Sequence, residues 1–325
     1  MQSARENLAG PSGGGASAVA VARPRAGGPL HALSAALDHE ATLGYVLVAP
    51  VIIILLGLVA YPLLYAVQLS LMDKTIGAEG KFVGLQTIVG LWDSDLYRQT
   101  LRNTLVFTAG ATILKLLMGF GVALLINEQF PGRKLVRAAI LLPWIVPTVL
   151  SGLAWQWMFT PNFSVVNWIL VHSGLMRTGL PWLTDPNLAL FCVMLVNAWR
   201  AIPFFAITLL AGLQTIPAEL YEASAIDGAG RWHRFRYVTF PLITPILTIT
   251  LVLSIIWTFS DFQAVYSLTK GGPVNSTHVL ATLSYQIGLQ AGKISEGVAI
   301  SLTMLPLLLI LVVFQLRQLR RSGGA

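Results

Sequence analysis

Two short sets of polar and aromatic residues stand inside stretches that are otherwise Leu, Ile, Val and Ala. Asn197, Arg200, Ala201 and Phe204 recur at i, i+3, i+4 and i+7, the spacing that puts side chains on one face of a helix. Ile256, Phe259, Ser260 and Gln263 repeat that spacing, with Asp261 about 100° round the helix. Asn, Arg, Ser, Asp and Gln supply donors and acceptors for hydroxyl groups, and Phe204 and Phe259 supply flat apolar faces for C–H patches. That combination suits a sugar. An ionisable residue within a membrane also marks a functional site by default. Arg200 and Asp261 admit a second reading, as partners holding a helix bundle together. Lys115, alone in another apolar stretch, is expected to snorkel or to make an interhelical contact.

Catalytic motifs are missing. The chain has no H-E-x-x-H, and no G-x-x-x-x-G-K-[ST] to cradle nucleotide phosphates. His172, His233 and His278 are isolated in sequence, so no metal site is expected. The expectation is a non-enzyme that binds no cofactor of its own, so any nucleotide-derived energy must come from another subunit.

The elements that position these residues follow from composition. Of 325 residues, 55% are hydrophobic and 11% charged, with a mean hydropathy of +0.71. A soluble domain carries about 25% charge, so the class is all-α and membrane-embedded. The single cysteine, Cys192, can form no intrachain disulfide and requires no oxidising compartment. The net charge of +7 comes without a basic stripe interleaved with aromatics, so no nucleic-acid partner is implied. Residues 1–43 include "AGPSGGGASAVAVARPRAGGP", too poor in apolar surface to fold, and read as a disordered cytoplasmic tail. The apolar run after the tail is long enough to span, so it reads as a retained first helix rather than a cleaved signal.

Six stretches reach the length of about 20 apolar residues needed to cross a bilayer: roughly 44–70, 103–127, 136–159, 188–213, 242–266 and 297–316. With the tail inside, inner segments hold twelve Lys and Arg, counting Arg137 at the inner edge of the third span, and outer segments seven, with Lys115 and Arg200 inside the spans. The bias puts both termini in the cytoplasm. Trp155, Trp157, Trp168 and Trp182 then fall near the outer boundary, as an aromatic belt does.

Between the fourth and fifth spans lies "EASAIDGAGRWHRFRYVTFPLITP", residues 222–245. Thr215 and Pro217 read as a helix start, Asp227-Gly228 as a break with glycine in a left-handed turn. "GRWHRFRYV" reads as a second short helix, ended by Pro241 and Pro245 before the next span. Small residues at Ala223, Ser224 and Ala229 let another surface approach, and Glu222 offers it a charge. On composition alone this is also an ordinary solvated inner loop.

The spacing of Glu222, Ala223, Asp227, Gly228, Ala229, Phe235, Val238, Pro241 and Pro245 resembles the EAA loop of ABC importer permeases; Ser224 stands where alanine is usual. Further blocks resemble the carbohydrate-uptake branch, on the pattern of the first permease of maltose- and trehalose-type importers. They include "AYPLLYAVQLSL", "NTLVFT", "ILLPWIVPTVLSGLAWQWMF", "WLTDPN", "AWRAIPFFAITLLAGLQTIP" and "LTKGGP". The resemblance covers nearly everything after residue 43. It implies a multi-pass permease in a bacterial inner membrane, residues 44–325, carrying a di- or oligosaccharide. In that family loop 215–241 couples to the ATPase through Glu222, Ala223, Ser224, Asp227, Gly228 and Ala229. Implied partners are a second homologous permease, two ATP-binding-cassette subunits that use ATP and Mg, an extracytoplasmic sugar-binding protein, and membrane lipid. By motif alignment Asn197, Arg200, Ala201, Phe204, Phe259 and Ser260 fall on sugar-lining positions; Arg200 departs from an apolar residue there, leaving the sugar open. The alternatives are a permease for another solute, such as glycerol phosphate, and a secondary transporter. The latter is disfavoured because no internal repeat is visible.

Overall fold

A computed structural model of the chain describes residues 40–161 and 164–322. The expected tail therefore lies outside the described residues up to position 39, and helix is already present at Glu40. The chain divides into two compact units, one ending at Pro62 and one starting at Leu63. The first unit holds most of the first span, Leu43–Ser70, whose side chains from Leu43 to Tyr61 are exposed or half-exposed and almost all apolar. Such an all-round apolar helix belongs in lipid or against another membrane helix.

The remaining spans belong to the second unit. Asp95–Asn127, Pro186–Gln214, Arg231–Phe259 and Ile294–Arg320 each have the length and apolarity to cross a bilayer. The described residues contain strand only in one small antiparallel pair, Met72–Asp73 with Lys81–Phe82. The all-α, multi-pass class holds.

Three expectations need correction. The third span, taken as continuous over 136–159, is a broken pair: Arg133–Ile145 and Thr148–Phe159 meet at 96°. Pro147 has no N–H to carry the helix on, and Val146 before it is extended (φ −68°, ψ 127°), as a residue preceding proline tends to be. Neither Pro241 nor Pro245 ends a helix; Arg231–Phe259 runs through both. A π-helical turn at Phe235–Thr239 sits just before Pro241, where the carbonyls deprived of a partner by the proline lie. The fifth span also stops at Phe259, and a separate short helix covers Gln263–Leu268. Asp261 stands in the break between the two, its carboxylate accepting the Ala264 amide in the first turn of the second helix at 3.0 Å. Ile256, Phe259, Ser260 and Gln263 are therefore not one helical face.

Where the remaining spans begin follows from their caps. Ser94 accepts from Tyr97 N at 3.4 Å, extending the second span to Asp95. Asp185 accepts from Asn187 N and Leu188 N, both at 2.9 Å, with Pro186 in the first turn where its missing N–H costs nothing. The second and fourth spans pack in parallel: Gly110 meets Met194 and Gly119 meets Phe205. A Cβ on Gly119 would collide with the Phe205 side chain, so glycine there permits the close approach that membrane helices use for cohesion. This pair brings Lys115 and Arg200 into the same layer.

Candidate functional site

Asn197 and Asp261 meet directly, Asn197 Nδ2 donating to Asp261 Oδ2 at 2.6 Å. Asp261 thereby spends one oxygen on Asn197 and the other on the Ala264 amide. One turn below, Lys115 Nζ donates to Thr258 Oγ1 at 2.6 Å, and Thr258 passes its own proton to the Ser254 carbonyl at 2.6 Å. Lys115 is 4% exposed. It is an interhelical contact and does not snorkel.

Arg200 lies on the same face as Asn197, half-buried. Among the described residues it forms no ion pair, so the Arg200–Asp261 partnership expected as one reading is not made. The charge of Asp261 nevertheless acts on both Arg200 and Lys115. Two polar atoms of this face, Arg200 Nε and Asn197 Oδ1, are buried and have no hydrogen-bond partner. Buried polar atoms are seldom left so.

Beside these residues is an aromatic wall. Phe204 stacks on Trp144 (ring centroids 6.0 Å, 21° between planes) and packs against Trp257 at 5.1 Å. Both tryptophans keep about half their surface exposed, 52% and 50%. The structure thus brings together Asn197, Arg200, Phe204 and Asp261, with half-buried Ala201 on the same turn. Ser260 is exposed and donates back to the Ile256 carbonyl at 3.0 Å, and Gln263 is exposed in the first turn of the next helix. Phe259 is placed elsewhere, 2% exposed in an apolar cluster with Tyr97, Leu280 and Ile300. Sequence reasoning missed Trp144 and Trp257. It also missed a buried polar row along the second span, Thr100, Thr104, Thr108, Thr112 and Lys115, whose near-fourfold spacing was legible.

The loop at the other end of the fourth span is a bent helical arm. Thr215 is not its start: its hydroxyl donates back to Gly212 O at 2.8 Å, closing the preceding helix. Pro217 precedes the short helix Ala218–Ile226. That helix ends as expected at Gly228, with φ +80°. Gly228 N bonds Ala225 O at 3.0 Å and Ala229 N bonds Ser224 O at 2.9 Å, the paired bonds of a Schellman stop. Tyr221 OH meets Thr239 Oγ1 at 3.0 Å and fixes the arm against the base of the fifth span. A cleft of 420 Å³ opens along the bend, lined by Asp227, Gly228, Ala229, His233 and Arg234 among others. Glu222, Ala223 and Asp227 are exposed, while Ser224 and Ala229 are half-buried. Three large apolar side chains stand in the open beside them: Ile226 at 88%, Trp232 at 73% and Tyr237 at 65%. Sequence reasoning had named only the small and charged residues of this arm as its contact face.

The profile described as "Binding-protein-dependent transport system inner membrane component" matches residues 115–322. A trehalose/maltose transport system permease protein, MalF, from Thermococcus litoralis is 34% identical over 280 residues, covering 86% of this chain and 94% of that one. The sulfoquinovosyl glycerol transport system permease protein SmoG of Agrobacterium fabrum is 33% identical, covering 86% and 90%. A chain of a bacterial ABC transporter importing the acidic polysaccharide alginate superposes with a TM-score of 0.75 at 25% identity, covering 89% of this chain and 99% of that one. With its spans, its capped helical arm and these matches in agreement, the chain belongs to the family of inner-membrane components of binding-protein-dependent transport systems.

Proposed function

We propose that this chain is the permease subunit of an ATP-driven sugar importer and lines half of the path of a di- or oligosaccharide. The observation that carries the reading is the membrane face itself. Arg200 Nε and Asn197 Oδ1 are left without partners beside the Trp144–Phe204–Trp257 wall, which offers hydroxyl partners and C–H stacking in one place. Trp144 and Trp257 keep about half their surface exposed, as suits a site completed by a second permease. Relatives named for trehalose/maltose, sulfoquinovosyl glycerol and diacetylchitobiose share a sugar cargo and support the class.

In this reading the arm 215–241 lies on the cytoplasmic side, with both termini, and seats in an ATPase subunit through Glu222, Ala223, Ser224, Asp227, Gly228 and Ala229. The two ATPase subunits hold ATP and Mg; this chain holds neither. Closure of the ATPase pair moves the arm, and the arm moves the fifth span with it, because Arg231–Phe259 is one helix from arm to sugar face. An extracytoplasmic binding protein delivers the sugar at the opposite end. Uptake of a labelled disaccharide panel by cells with and without this chain tests the proposal. Import of at least one sugar that requires the chain and ATP is expected; import sustained by an ion gradient without ATP overturns it.

A further inference from the structure

The layer around Asn197 contains two cations, Lys115 and Arg200, and one carboxylate, Asp261. Both oxygens of that carboxylate are already engaged by neutral donors, Asn197 Nδ2 at 2.6 Å and Ala264 N at 3.0 Å. Lys115 is held by a hydroxyl rather than by an anion. Arg200 has no ion-pair partner among the described residues, and its Nε is buried without an acceptor. Charge inside a membrane span is costly and is normally balanced by a partner or by what passes through. Here the balance is one positive charge in excess, carried by the side chain whose planar fork matches a carboxylate, sulfonate or phosphate.

From this charge balance we infer that the cargo of this permease is an acidic sugar, its anionic group received by Arg200 while the rings stack on Phe204, Trp144 and Trp257. The inference rests on the sugar-importer reading and narrows its substrate class. A neutral disaccharide would satisfy the aromatic wall and the Asn197 carbonyl oxygen but would leave the guanidinium without a directly paired anion. An anion placed there meets Arg200 at the front and Lys115 behind, with Asp261 held back by its two donors. Asp261 then works as a selectivity element, since it disfavours any carboxylate that approaches past the guanidinium.

The test uses the full importer, purified with its second permease, ATPase and binding protein and reconstituted in proteoliposomes. A matched pair of probes is followed: a labelled glucosyl-glucuronate disaccharide and its neutral glucosyl-glucose counterpart. Faster ATP-dependent uptake of the glucuronate is expected. Arg200→Gln is expected to reduce glucuronate uptake per assembled complex by about 10- to 150-fold, the range for losing a charged hydrogen bond, to reduce neutral-sugar uptake by the smaller factor of about 2- to 10-fold that a lost hydroxyl hydrogen bond costs, and to be partly rescued by Arg200→Lys. Preference for the neutral probe, or equal loss of both in Arg200→Gln, overturns the inference while leaving the importer reading intact. Loss of the second permease from the Arg200→Gln complex, with uptake per assembled complex unchanged, assigns the guanidinium to subunit pairing and overturns it too. Absence of ATP-dependent uptake of either probe, where a wider sugar panel also fails, overturns both readings together.

Discussion

Gly228 separates conformation from size. Its φ is +80°, and a Cβ added there has no heavy atom within 4 Å. A substitution therefore costs what the left-handed backbone costs and nothing for collision. For an L-residue that cost is about 1–2 kcal/mol, or about 5- to 30-fold in the population of the bent arm. Asparagine visits that region more readily than other side chains, and a β-branched residue tolerates it least. The expected order of impairment is thus Gly228→Asn, then Gly228→Ala, then Gly228→Val. Volume does not predict it, since asparagine is larger than alanine. The assay is uptake and ATP hydrolysis by the purified complex, normalised to ATPase retained. Gly228→Val is expected to lose uptake or ATPase retention several-fold while the chain stays in the membrane. Equal activity of the Asn and Val variants, or an order that follows side-chain volume, would refute the argument that the Schellman stop sets the arm.

Asn197→Ala and Phe204→Ala are expected to lower uptake several-fold to tens-fold with subunit assembly and basal ATPase intact, since a hydrogen bond to sugar is worth on the order of 1 kcal/mol; unchanged uptake per complex in both removes this face from the path. Lys115→Met is expected to leave the thermal midpoint unchanged or higher, because a buried charge is exchanged for apolar volume while Thr258 keeps its bond to Ser254 O; a clear fall by fluorescence-monitored melting contradicts this. His278 is 2% exposed, with Nδ1 3.0 Å from Thr282 Oγ1, and burial holds its pKa below the ordinary 6.5. The neutral ring is the folded form, so its stabilisation is complete above pH 6.5 and is lost as pH falls through the lowered value. Hydrogen exchange at residues 269–282, corrected for intrinsic rates, is expected to quicken on acidification in the wild type and not in His278→Gln. Deletion of residues 2–35 is expected to leave uptake and assembly near wild type, checked by pull-down of the ATPase.

Span existence and the class of the fold were legible because apolar length is a long-range signal that the bilayer imposes on every residue of a helix. The turn at Gly228 was legible for the opposite reason: glycine after a helical run meets a local backbone demand. The misreadings lie where tertiary context decides. Pro147 and Pro241 look alike in sequence, yet one breaks a span at 96° and the other is absorbed by the π-helical turn before it. Asp261 was recognised as polar in a span but not as lying in the break between two helices, so Phe259 and Gln263 were placed on a face they do not share. Trp257 was hidden by one residue of helical phase, and Trp144 by the bend that carries it onto Phe204. Asn197, Arg200 and Phe204 lie on one side of the fourth span as their spacing predicts, and Asp261, also named from the sequence, meets Asn197; Trp144 and Trp257 were not foreseen.

Whether this chain conducts a sugar at the expense of a partner's ATP hydrolysis is decided in proteoliposomes holding the full complex. ATP is sealed inside, the binding protein and labelled sugar panel are outside, and an ionophore collapses all ion gradients. Accumulation of at least one sugar is expected that needs internal ATP, persists with the ionophore, and vanishes when this chain is omitted. Accumulation that proceeds without ATP and stops with the ionophore would contradict this expectation.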